Sequence, residues 1–273
     1  MPRFTRKAKI VAASATAAVM VTAGLAAYAL YPERTAPADA RADAIAAGKK
    51  LVDVQPRPGG ARSALPDGPP VDCEKAKCIA LTFDAGPGKD TPALLDHLQK
   101  EKVPATFFLL GKHHVVKYPA VVKRLFDEGH EVANHTWSHP RLDKLKRAEI
   151  REELKLTQDA IAKITGEKPT LMRPPQGRIN DDVTSVSKEL GLAQILWSAT
   201  AKDYSTTDSE LIKKRILKQS SRDGIILLHD IYDGTVPAVP GIVAELKKRG
   251  YTFVTVSQLI APAKPNPGEV YKP

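Results

Sequence analysis

With 273 residues, of which 42% are hydrophobic and 26% charged, the chain has room for one large globular domain plus appendages. The formal net charge is +10, yet four of the positive charges (Arg3, Arg6, Lys7 and Lys9) fall in the first nine residues and no acid precedes Glu33. The remaining excess suits an anionic surface or polymer, whereas an aromatic content of 5%, with no basic cluster interleaved with aromatics, argues against nucleic acid as a partner.

Residues 1–30 combine a basic start with an uncharged run from Ile10 to Leu30. That pattern is an export signal, with Ala27-Tyr28-Ala29 as a small-x-small cleavage site. The run is also about as long as the roughly 20 residues of a membrane-spanning helix, so an uncleaved anchor is the competing reading. Both readings put the protein outside the cytoplasm, secreted or membrane-anchored and facing the cell wall, with the membrane touched only through this segment. Residues 31–70 are rich in Pro, Ala, Gly and charge and predict a linker. Cys73 and Cys78, the two cysteines, are expected to close a short disulfide loop at the entrance of a domain spanning 71–262.

Within that domain Ile79 to Asp84 is an apolar run that stops at a carboxylate and turns at Gly86-Pro87-Gly88, as a strand buried on both faces would. Thr91-Pro92 opens a helix to about Lys100, with Leu94, Leu95 and Leu98 on one face. A strand over 105–110, a helix over 119–128 stopped by Gly129, and a short strand at 131–133 follow. Ile150, Leu154, Ile161 and Ile164 trace a long helix closed by Gly166, after which 170–173 predicts a strand before Pro174-Pro175. A helix over 181–190, a strand over 192–197, a helix capped by Thr207-Asp208-Ser209-Glu210, a strand over 225–228, a helix over 239–249 and a strand over 251–256 complete the domain. The last residues, 263–273, form a Pro-rich tail. Strand and helix alternate about seven times, which predicts an α/β fold with a parallel barrel or open sheet.

Polar clusters follow the apolar stretches at Asp84, at His135 and His139, at Arg173, at Asp203 and at His229-Asp230, as though at one rim. His135 and His139 stand four apart, a spacing that points both imidazoles one way in a helical turn or tight loop and suits a divalent metal, Zn²⁺ first. Thr136 after the first His excludes the zincin motif.

These motifs, in this order over about 71–259, resemble the polysaccharide deacetylases of carbohydrate esterase family 4, whose shared unit is the NodB homology domain. The resemblance implies a deformed (β/α) barrel of about seven strands and a divalent metal, Zn²⁺ with Co²⁺ or another ion as substitutes. It implies hydrolysis of acetyl groups on a polysaccharide, most often N-acetyl groups of GlcNAc-type sugars in peptidoglycan or chitin-like glycans. In its terms Asp84 is the catalytic base, Arg173 its partner, His135 and His139 the metal histidines, His229 the general acid and Asp203 the group that orients it. The backbone N–H of Gln176 would meet the oxyanion, and Tyr204 and Leu227 would wall the acetyl methyl.

The sequence departs from the pattern where Ala85 replaces a metal-ligating Asp, Gln176 an aromatic, Tyr204 a Trp and Thr200 an Asp. His113, His114 and Asp90 are candidates for the lost ligand. Two further readings stay open: a non-catalytic glycan-binding relative with a degraded metal site, and an esterase acting on O-acetyl xylan. A monomer is expected.

Overall fold

The computed structural model describes residues 34–51 and 70–273; the expected leader and most of the expected linker lie outside the described residues. The organising strand is β2 (Lys77–Asp84), buried along nearly its whole length. Its pleat sends alternate side chains to opposite faces. Ile79, Leu81 and Phe83 enter a core shared with Leu94, Val122, Ile212 and Val239 from surrounding helices. Cys78 and Ala80 face the other way, towards Phe108, Ile195, Ile225 and Tyr271. Thr82 and Asp84 have the same parity as Ala80, so the concave side receives a hydroxyl and a carboxylate.

All strand pairings are parallel. After β2 the chain runs through α2 (Thr91–Glu101), β3 (Thr106–Leu109), α3 (Pro119–Asp127), β4 (Glu131–Asn134), α4 (Arg147–Thr165), β5 (Leu171–Met172), α5 (Asp181–Glu189) and β6 (Ala193–Ile195). It continues through β7 (Ala199–Thr200), α6 (Ser209–Gln219), β8 (Gly224–Leu228), α7 (Thr235–Lys248), β9 (Tyr251–Val254) and α8 (Val256–Ile260). The strands share one curled sheet in the order β6-β5-β4-β3-β2-β8-β7, with β9 beside the first half of β2. This is the deformed (β/α) barrel that the motifs imply.

Two segments depart from expectation. Residues 34–46, expected as linker, form β1 (Arg34–Thr35) and α1 (Pro37–Ala46), and residues 270–271, expected as tail, form β10 (Val270–Tyr271). β10 pairs with β6, and β1 with β10, so the sheet has ten strands rather than about seven. The ladder includes Leu196 N–H to Tyr271 O at 2.8 Å and Lys272 N–H to Thr35 O at 3.0 Å. Covering the edge of β6 satisfies backbone groups that would otherwise be exposed. Helix α1 is fastened by buried Arg41, which donates to Glu74 Oε1 at 2.5 Å, Leu259 O at 2.8 Å and Asp223 Oδ2 at 3.2 Å. The strands of β1 and β10 are two residues long, too short to show a period. The expected disulfide between Cys73 and Cys78 is present just before β2.

Candidate active site

Asp84 closes β2 and is 3% exposed. Arg173, which follows β5, is fully buried and brings its guanidinium under the concave face. Its Nη1 donates to Asp84 Oδ1 and to Thr82 Oγ1, each at 2.7 Å, and its Nε donates to Ile195 O at 3.0 Å. The plane lies 4.1 Å from the Phe108 ring centroid, a cation–π contact. A buried ion pair adds little net stability but costs about 3–5 kcal/mol to break from one side. Asp84 is thereby oriented with one oxygen bound to Arg173 and the other, Oδ2, 3.8 Å from His135 Nε2.

The chain leaves β2 through Ala85, whose φ of 64° is the left-handed region that costs an alanine about 1–2 kcal/mol. At Gly86 a Cβ would collide with the carboxylate of Asp230, so only glycine allows this approach. Asp230 Oδ2 accepts from Thr91 Oγ1, which itself accepts from Gly88 N–H at 2.7 Å. The loop after β2 is thus tied to the loop after β8. Asp230 is fully buried, with Oδ1 unpaired. Burial pushes its carboxyl up to about 6, against the hydrogen bond from Thr91.

His135 follows β4, and His139 sits beyond a tight loop, not a helical turn, with Thr136 at φ 73° and His139 at φ 64°. Asn134 Oδ1 accepts from Thr136 N–H at 2.8 Å, and Thr136 Oγ1 accepts from His139 N–H at 3.1 Å. Glu153 on α4 accepts from Trp137 N–H, Ser138 N–H and Ser138 Oγ at 3.0, 2.8 and 2.6 Å. The two rings come together with centroids 4.9 Å apart. His135 Nδ1 lies 2.8 Å from Arg173 O, which assigns the proton to Nδ1 and leaves the Nε2 lone pair open. Burial pushes His135 down to about 4 despite the charge of Asp84, and lowers His139 for the same reason. Both imidazoles are neutral at pH 7, as metal ligands must be.

The donor set therefore fits the imidazole half of a divalent-cation site. Its carboxylate half is missing, because the position after Asp84 carries a methyl group. His114 Nδ1 is engaged with Pro87 O at 3.0 Å, His113 is exposed, and Asp90 pairs with Lys89 at 3.6 Å. Among the described residues no group of three His, Cys, Asp or Glu side chains is placed to hold a metal ion. None of the three candidates replaces the lost ligand.

His229 follows β8. Its Nδ1 donates to Asp203 Oδ1 at 2.8 Å and its backbone N–H to Asp203 Oδ2 at 2.7 Å, while Thr235 Oγ1 donates to Oδ2 at 2.7 Å. Burial works against the charged imidazole, but the bond and charge of Asp203 outweigh it and raise the pKa of His229. The donors likewise outweigh burial at Asp203 and lower its pKa. Each partner thus favours the charged form of the other, and no hydrogen bond within the described residues engages His229 Nε2. Tyr204 and Tyr232 stand edge-on to the His229 ring at 6.2 and 5.4 Å between centroids. Leu227, paired with Thr200 at the end of β7, is 6% exposed. Gln176 is held at φ 59° in a 3₁₀ turn whose hydrogen bonds are donated by Gly177 and Arg178, and its side chain is exposed.

Asp84, Arg173 and His135 are in direct or near contact, His139 joins them through His135, and His229 with Asp203 forms a second centre. Thr82, Glu153, Tyr232 and Thr235 are not singled out by sequence; Thr91 is read there only as a helix start and Asp230 only as a member of the rim cluster with His229. The one signal available was that Asp230 directly follows His229.

The family profile described as "Polysaccharide deacetylase" matches residues 72–195. The chain is 40% identical over 184 residues to "Peptidoglycan-N-acetylglucosamine deacetylase PgdA" of Listeria monocytogenes, covering 67% of this chain and 39% of that protein. It thus spans about two fifths of that relative. Among solved structures, "T48 deacetylase with substrate" is 40% identical with a TM-score of 0.70, covering 74% of this chain and 99% of that one. A mutant of "a CE4 family pseudoenzyme with restored enzymatic activity" is 29% identical with a TM-score of 0.65, covering 68% of each chain.

Proposed function

The chain belongs to the polysaccharide deacetylase family, and on that footing we propose that it hydrolyses acetyl groups from the N-acetylated sugars of a cell-wall glycan of the peptidoglycan type. The observation that carries this reading is the pairing of a carboxylate held by a buried arginine with an imidazole held by a buried carboxylate. Asp84 and His229 have opposite proton-transfer roles ready before substrate arrives.

A divalent cation, Zn²⁺ first, would be held by His135 and His139, where it would polarise the acetyl carbonyl and acidify a water. Asp84, oriented by Arg173, takes the proton of the attacking water as the new C–O bond forms. The backbone N–H of Gln176 is available to the oxyanion. His229 Nε2 then gives its proton to the sugar nitrogen, the C–N bond breaks, and acetate and a free amine leave. Leu227 and Tyr204 border the acetyl methyl.

The leader read from the sequence supports a protein secreted or anchored outside the cytoplasm; among the described residues no helix is long and apolar enough to cross a membrane.

The test is acetate release from peptidoglycan and from N-acetyl chitotetraose with Zn²⁺ or Co²⁺ added, compared with chelator. Metal-dependent release is expected; none from either glycan overturns the catalytic reading. Ala85 favours a second reading, a glycan-binding protein without turnover, since catalytic zinc normally keeps three protein ligands. Glycan binding without acetate release would select it.

A further inference from the structure

Five large hydrophobic side chains are exposed among the described residues: Ile45, Val116, Leu156, Tyr204 and Tyr232. The two aromatics among them border the same imidazole, that of His229, with interplanar angles of 83° and 65°. Tyr204 is 58% exposed and Tyr232 is 37% exposed. Neither hydroxyl makes a hydrogen bond within the described residues, whereas those of Tyr251 and Tyr271 do.

Tyr232 stands on a loop that is fixed from several sides. Asp230 ties its start to Thr91, and Thr235 N–H closes its end on Tyr232 O at 3.0 Å. Thr235 Oγ1 is in turn bound to Asp203. At Gly234 a Cβ would lie 2.7 Å from Thr207 C and O, so the loop is pressed against its neighbour. Lys89 reaches Asp233 across the mouth at 3.2 Å. A half-exposed ring on such a loop loses little conformational freedom when a ligand stacks on it.

We propose that Tyr232 is a glycan-binding residue, a stacking surface for the C–H face of a pyranose ring on the general-acid side of the site, with its hydroxyl free to bond a sugar hydroxyl. The aromatic face is electron-rich and attracts polarised C–H groups, while the phenol tip remains polar. The ligand class is a β-linked amino-sugar chain long enough to reach beyond the sugar at His229. The inference rests on the deacetylase reading for its substrate class, but binding tests it without turnover.

Titration calorimetry with N-acetyl chitotetraose, run on the wild type, Tyr232→Ala and Tyr232→Phe, reads the contact directly. Tyr232→Ala is expected to weaken binding about 3- to 10-fold, the worth of one aromatic contact, and Tyr232→Phe to keep it within about 2-fold. In turnover, the Ala variant should raise KM for the tetramer by a similar factor and affect kcat less. Equal binding by wild type and Tyr232→Ala, or no tetramer binding by the wild type, overturns the proposal. So does a fall in kcat at unchanged KM, which would mean that the ring serves only to hold His229. Tyr232-dependent binding without acetate release would leave it standing and overturn the catalytic reading alone.

Discussion

Replacing Asp203 by Asn separates the protonation of His229 from its placement. The carboxylate accepts three hydrogen bonds, from His229 Nδ1, His229 N–H and Thr235 Oγ1, at 2.8, 2.7 and 2.7 Å. An amide of the same shape has one oxygen, so its NH₂ must face a former donor. Facing Nδ1 is cheaper, because that side has one donor to the other side's two, and the imidazole can answer by moving its proton to Nε2. The cation then loses both the bond and the charge that offset its burial. His229 has a raised pKa in the wild type, so its acid form persists to higher pH than an ordinary histidine. Activity that needs this form falls as pH rises through that value, and in Asp203→Asn the alkaline limb should move to lower pH. Loss of general-acid catalysis predicts a fall of about 10²–10⁴ in kcat near neutrality, and an imperfectly paired buried amide costs about 1–3 kcal/mol of stability. The assay is acetate release from N-acetyl chitotetraose against pH, with a thermal melt to show that the variant is folded. A folded variant whose alkaline limb stays in place would refute the assignment of Asp203 as the group that keeps His229 charged.

Ala85→Asp restores a carboxylate at a backbone conformation that Asp tolerates better than Ala; metal content after dialysis should rise relative to wild type, and equal content would show that this position does not face the cation. His130 is fully buried, accepts from Ala105 N–H at 3.2 Å, and is pushed down to about 3 by burial. Its folded value lies below the unfolded one, so stability is complete above about pH 6.5 and is lost as pH falls. Between pH 7 and 4.5 this group alone removes about 2.5 kcal/mol. Denaturant unfolding of His130→Asn should lose that much less than wild type over the same interval, and parallel losses would contradict it. Tyr271 is fully buried, and its hydroxyl bonds Glu269 at 3.0 Å and accepts from Asn266 N–H at 3.1 Å. Tyr271→Ala should cost about 3–5 kcal/mol, as large-to-small core changes do. An unchanged melting temperature would show that the last strand is dispensable.

What the sequence by itself determined about this protein is local. The apolar run of β2 ending at Asp84, the Pro at the start of α2 and the Gly that closes α4 can each be read within a few residues, whereas the capping box expected from Thr207 to Glu210 gives way to a cap one residue on, where Asp208 accepts from Leu211 N–H at 3.0 Å. The pairing of two cysteines five apart can also be read from sequence, as can the motif order that marks the family. Tertiary structure alone decided which distant groups meet. That Arg173 reaches Thr82 as well as Asp84, and that Asp230 fills the space at Gly86, depends on strands far apart in the chain, 91 residues in the case of Arg173 and Thr82, lying in one sheet. β1 and β10 are shorter still of local signal: two residues of extended chain become a strand only because β6 offers unpaired backbone groups to bond. Propensity and period act over one or two turns of chain, whereas burial and hydrogen-bond completion act across the whole sheet.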